Sequence, residues 1–176
     1  MTAIHIKFPA LTLKAGPRAL ARIRQQGLHP REVGTLPGAA GGPKALGIQG
    51  LDLALFGEWL PSAPRERSLI GASVGSWRFA SACLPDAAEG IRRLGQLYNA
   101  QSFAKGVTMA QISQSSRRML EDLLEGRDAS ILDNPHYRLN IMVVKSHGLL
   151  ADDHRGRLGL GPVSYTHLTL PTSDLV

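Results

Sequence analysis

Apolar positions recur along the chain in two rhythms. Between residues 17 and 26, Ala19, Leu20 and Ile23 form one apolar face and Arg18, Arg22 and Arg24 surround it, which predicts an amphipathic helix. Pro17 suits the first helical position, where a missing N–H costs nothing, and Gly27 with Pro30 beyond it supplies the stop. Leu46, Leu51, Leu55 and Trp59 keep near-helical spacing over 45–59, up to the breakers Pro61 and Pro64. A helix is predicted over 76–84, ended by Pro85. A third amphipathic face, Ile112, Met119, Leu120, Leu123 and Leu124, predicts a helix over 109–124 capped by Thr108 and ended by Gly126. Asp86 reads as the N-cap of another helix over 87–103, with Glu89 completing an Asp-type capping box.

The second rhythm is that of short apolar runs. Residues 33–36, 67–70 and 138–145 read as buried strands, and 4–13 alternate weakly enough for a strand or an extended arm. Asn134-Pro135 is a turn, and 146–161 is a polar, glycine-containing loop. Strands separated by helical crossovers predict an α/β fold with a mostly parallel sheet covered on both faces.

Composition changes this picture little. The chain has 176 residues, 43% hydrophobic and 19% charged, enough for one domain with a real core. The net charge of +6 comes from arginines scattered without a stripe or aromatic interleaving, so no nucleic-acid partner is expected. A mildly basic surface could favour peripheral contact with anionic membranes, although solvated helix faces account for it equally. One cysteine, Cys83, excludes an internal disulfide framework; it reads as a small buried apolar residue. The start has no signal-peptide pattern and no run spans a bilayer, so a cytoplasmic location is expected. No metal or cofactor is expected.

Candidate chemistry centres on Gly71-Ala72-Ser73-Val74-Gly75, between a predicted strand and a predicted helix. In that context G-x-S-x-G is a nucleophile elbow, with Ser73 in a sharp turn and Gly71 and Gly75 relieving crowding around it. The run 38–44 contains Gly41-Gly42-Pro43-Lys44. It is not a P-loop, because Lys44 follows proline and Ala45 stands where Ser or Thr would hold magnesium. It contains no dinucleotide fingerprint either. Consecutive glycines between a strand end and a helix start suit an oxyanion hole, because backbone N–H groups are left unobstructed. A βα turn using glycine for shape alone is the structural alternative.

The order of these two motifs resembles that of the patatin-like phospholipases, bacterial branch, over about 11–161. That family carries a G-G-x-[RK] oxyanion loop and, one βα unit later, G-x-S-x-G. The resemblance implies a three-layer α/β/α fold and hydrolysis of lipid acyl esters by a Ser–Asp dyad. Ser73 is then the nucleophile, and Gly41, Gly42, Pro43 and Lys44 mark the oxyanion loop. Pro43 has no N–H, so donors come from the glycines and Lys44. The family aspartate sits in D-G-[GA], which this sequence lacks, and Asp152-Asp153-His154 has the wrong followers.

Residues 163–172 resemble the translation of a transposase adapter used in sequencing libraries. The expectation is a patatin-like domain over 1–161, truncated before its aspartate, followed by an artefactual tail over 162–176. Two other readings stay open: a conventional α/β-hydrolase whose triad is incomplete here, with His136 and His147 to consider, and a non-catalytic ligand-binding domain. The region 86–126, an insertion between predicted strands, is the natural place for an acyl-pocket wall.

Overall fold

The computed structural model describes residues 11–102 and 106–144. The arm over 4–10, Phe103 and Lys145, the loop over 146–161, His147, Asp152, Asp153 and the tail over 162–176 lie outside the described residues.

The described chain is α/β. Six α-helices, α1 (Pro17–Gln26), α2 (Gln49–Ala54), α3 (Val74–Ala82), α4 (Ala87–Ala100), α5 (Met109–Leu124) and α6 (Asp128–Leu132), accompany three strands. The strands β1 (Thr35–Gly38), β2 (Arg67–Ala72) and β3 (Tyr137–Met142) lie in the order β1-β2-β3, all parallel. The central strand is therefore the one that leads into the elbow. Its register pairs Leu36 with Leu69 and Leu69 with Leu139, stacking three leucines on one face.

Helix α3 lies across all three strands on that face, α4 packs on α3, and α2 packs on α4. The core between them joins Leu69, Phe79, Cys83, Ile91, Phe56 and Tyr137. Phe56 meets Phe79 and Tyr137 edge to face, at 5.9 and 5.7 Å between ring centroids, a favoured geometry for aromatic pairs. The opposite face is less covered than the sequence predicts among the described residues. Ser68, Ile70 and Ala72 are half-buried there, and Asn140 and Met142 are exposed.

Arg67 opens β2 and is 2% exposed, with no carboxylate partner among the described residues. Its guanidinium donates instead to the carbonyls of Val33, Arg65, Pro30 and Ala63. These carbonyls belong to the segments entering β1 and β2, so one buried cation ties both strand starts together. Burial lowers its pKa from the usual arginine value, and Tyr137 opposes that shift.

One predicted helix differs in detail, and one helix was not predicted. Residues 45–59 do not form one helix. A 3-10 stretch (Gly42–Ile48) leads into α2, and a π turn (Leu55–Trp59) follows, with Leu60 N donating to Leu55 O at 2.8 Å. Pro43 and the glycines around it disfavour a regular start. The short α6 has no counterpart among the predicted elements. Asp86 caps its helix as expected, accepting from Glu89 N at 2.9 Å, but the Glu89 side chain does not return the bond, so the expected box is only half formed; Thr108 forms a full capping box with Gln111. Helix α4 buries Ile91 and Leu94 and packs against α3 and α2.

Candidate active site

Ser73 sits between β2 and α3 with φ 50° and ψ −125°. A positive φ in a non-glycine residue is uncommon and costs on the order of 1–3 kcal/mol. Only Glu125, at a helix end, shares it among the described residues. The turn leaves Ser73 exposed at the C-terminal edge of the sheet, and its hydroxyl makes no hydrogen bond among the described residues.

The flanking glycines have separate physical reasons. A Cβ on Gly71 would stand 2.5 Å from the Cα of Ser76, so side-chain-free backbone is needed where α3 folds back over β2. A Cβ on Gly75 would stand 2.2 Å from the carbonyl oxygen of Gly38. Gly75 thus lets the first turn of α3 rest directly on the end of β1. The register pairs Gly38 with Gly71, so the loop leaving β1 and the elbow leaving β2 emerge side by side.

Within that loop, Gly42 has φ 53°, a conformation that favours glycine. Gly41 has φ 173°, which any residue adopts, and nothing lies within 4 Å of where its Cβ would be. Among the described residues, packing therefore does not require glycine at 41, and the space beside it is open. Pro43 lies in the first turn of the 3-10 stretch. Lys44 is exposed, but its N–H donates to Gly41 O at 3.3 Å. That corrects one expectation: the Lys44 amide closes the turn and is not free for an incoming oxygen. The remaining donors are the N–H groups of Gly41 and Gly42, joined by one the sequence reading missed. Val74 opens α3, and the first N–H groups of a helix have no intrahelical partner. The signal was present, because a helix starting directly after the nucleophile presents that amide.

A cavity of about 520 Å³ adjoins the loop, mostly apolar, lined by Gly41, Lys44, Ile48 and Leu51 and, on its charged side, by Asp52 and Arg78. A larger cavity, about 680 Å³, is bounded by Arg67, His136 and Tyr137 at the other end of the sheet. It is remote from Ser73. His136 directly precedes β3, whose Tyr137 pairs with Arg67, whereas Ser73 follows the far end of β2. At roughly 3.3 Å per residue that separation is about 20 Å. His136 cannot serve Ser73 in a triad. Its main chain is structural instead, with its carbonyl accepting from Arg67 N and its N–H donating to Asn134.

Cys83 is fully buried, and burial pushes its thiol up to about 12, which removes it as a second nucleophile. Ser76 Oγ is buried with no hydrogen-bond partner. Among the described residues no group of three His, Cys, Asp or Glu side chains could hold a metal ion, and no helix is long and apolar enough to cross a membrane. No family model matches the chain, and no curated protein or solved structure is significantly similar to it.

Proposed function

We propose that this chain is a serine acyl hydrolase module of patatin type, acting on lipid or other acyl esters. The observation that carries the reading is the backbone at Ser73. A serine is held at positive φ between strand and helix, with one flanking glycine closed onto Ser76 and the other onto the end of β1. Strain of this kind persists only where the surroundings over-determine it. Here it presents an exposed hydroxyl beside a loop whose Gly41 and Gly42 N–H groups have no backbone partner among the described residues.

In the proposed reaction Ser73 Oγ attacks the ester carbonyl and its proton passes to a base. The alkoxide that develops is met by N–H donors of Gly41, Gly42 and Val74, the arrangement that stabilises tetrahedral intermediates. The mostly apolar cavity behind the loop suits an acyl chain, and Lys44 at its rim suits a negatively charged head group. The base of the dyad is the aspartate of a D-G-[GA] motif, which this sequence does not carry. The full three-layer arrangement, a cytoplasmic location and peripheral contact with membranes belong to the same proposal.

General-base help is worth about 10²–10⁴-fold, so the 176-residue chain should turn over esters slowly. Oxyanion donors alone still leave a residual rate above water. The test is reaction with a fluorophosphonate probe, followed by peptide mapping. The folded chain should be labelled at Ser73, and Ser73→Ala should not be labelled. A folded chain that resists the probe would favour a ligand-binding domain built on the same turns.

A further inference from the structure

Asp52 and Arg78 form a bidentate ion pair, with the guanidinium Nε and Nη2 each donating at 2.6 Å to one carboxylate oxygen. Both side chains are withdrawn from water, at 3% and 13% exposure. Removing two charges from water is costly, and apolar residues of similar volume often hold a core equally well. Stability alone therefore does not explain the pair. A planar fork on a planar carboxylate does fix one thing that apolar packing leaves loose, namely the mutual angle and register of the two elements that carry it.

Those two elements are informative. Asp52 lies on α2, the helix that directly continues the glycine loop, and Arg78 lies on α3, the helix that begins after Ser73. The pair joins the support of one half of the candidate site to the support of the other. The loop has a second anchor at Gly38, beneath Gly75. Between these anchors, no side chain hydrogen-bonds to the backbone of residues 39–48 among the described residues. The 3-10 stretch also touches α3, but the hydrogen-bonded fastening of the loop to the Ser73 helix comes from the ion pair. A third contact steadies α2, where Gln49 Nε2 donates to Ile91 O at 2.9 Å.

We propose that the Asp52–Arg78 pair, besides forming part of the cavity wall, is a positioning device that holds the Gly41 and Gly42 amides in register with Ser73, so that it governs oxyanion stabilisation. The proposal rests on the acyl-transfer reading of Ser73. It leaves Asp52 unavailable as the base, because both carboxylate oxygens are engaged by Arg78.

The test compares the full chain with Arg78→Lys and with the double variant Asp52→Leu/Arg78→Met. Three quantities are measured: Tm, the fluorophosphonate labelling of Ser73 resolved into reversible binding and bond formation, and the amide NMR signals of Gly41 and Gly42. The double variant should keep Tm near the parent value while its bond-forming step slows about tenfold or more, as expected when oxyanion donors are displaced. Both residues also line the cavity beside the loop, so a fluorophosphonate with a short alkyl group is used, and the bond-forming step should slow by more than any change in reversible binding, since the donors act on the developing charge. Arg78→Lys keeps the charge and the helix but loses the fork, and should slow the same step; it carries the test if the double variant does not fold. Bond formation at the parental rate in either folded variant overturns the proposal. If the parent chain is not labelled at Ser73, the acyl-transfer reading fails. The amide signals then decide on the pair alone: displaced Gly41 and Gly42 signals in Arg78→Lys support positioning, and unmoved signals overturn it.

Discussion

Alanine at position 75 would put a methyl carbon 2.2 Å from Gly38 O, 2.6 Å from Gly38 C and 3.0 Å from Ala39 O. All three atoms are backbone, so no side chain can swing aside. Relief requires the end of β1 to retreat from α3 by roughly 1 Å, given ordinary carbon contact distances. Overpacking of this kind costs about 1–3 kcal/mol. The helix-propensity gain of alanine over glycine, at most about 1 kcal/mol, offsets part of it. For a chain of this size, about 2–4 °C of Tm is lost per kcal/mol, so a net loss of about 2 kcal/mol lowers Tm by about 4–8 °C. The same retreat moves the loop away from Ser73, and a misplacement near 1 Å costs about 10²-fold in reactivity. Gly41→Ala is the matched control, because nothing lies within 4 Å of its Cβ position. It should leave Tm unchanged while slowing fluorophosphonate labelling, since its methyl enters the space an oxyanion would fill. Thermal unfolding and labelling of the two variants, run side by side, check both halves. Gly75→Ala with parental Tm would refute the packing argument. Gly41→Ala with parental labelling would refute the assignment of the open space.

Two further predictions concern the base of the sheet. Burial raises the Cys83 pKa from 9.0 to about 12, and a group raised on folding stabilises below its unfolded value and loses that contribution as pH rises towards the folded one. Stability should therefore fall between about pH 9 and 12, by about 1.4 kcal/mol per pH unit from this group. Tyr137, also raised by burial, adds to the same slope, and alkaline unfolding of Cys83→Ala should be shallower than that of the parent. Arg67→Met removes a buried cation that serves four carbonyls and should destabilise by roughly 3–5 kcal/mol in chemical denaturation. A loss under 1 kcal/mol would show that water satisfies those carbonyls equally well.

The parts of the site that were legible in the sequence are those set by adjacent residues. Strand, elbow and helix are consecutive, and Gly71 answers a contact with Ser76 inside that unit, whereas the motif marks Gly75 without revealing its partner, the distant Gly38 carbonyl. The caps at Asp86 and Thr108 are likewise local. What escaped depends on distant partners. Arg67 reads as an ordinary strand residue until its carbonyl acceptors from two other segments are known. Asp52 and Arg78 are 26 residues apart with no shared periodicity, so nothing local announces the pair. The run 45–59 has helical spacing of its leucines, yet Pro43 and the neighbouring glycines turn its start into a 3-10 stretch. His136 resembles a triad member only while its place in the sheet is unknown. Parallel pairing of β3 with β2 sends it to the opposite end from Ser73.

The central claim is that Ser73 and the glycine loop form one acyl-transfer site. A crystal structure of the chain after reaction with a fluorophosphonate tests it most directly, because the phosphonyl oxygen occupies the place of the oxyanion. The account predicts an adduct on Ser73 Oγ, with that oxygen about 3 Å from the N–H groups of Gly41 or Gly42 and of Val74. An adduct on another residue, or an oxygen on Ser73 turned away from all three amides, would contradict it.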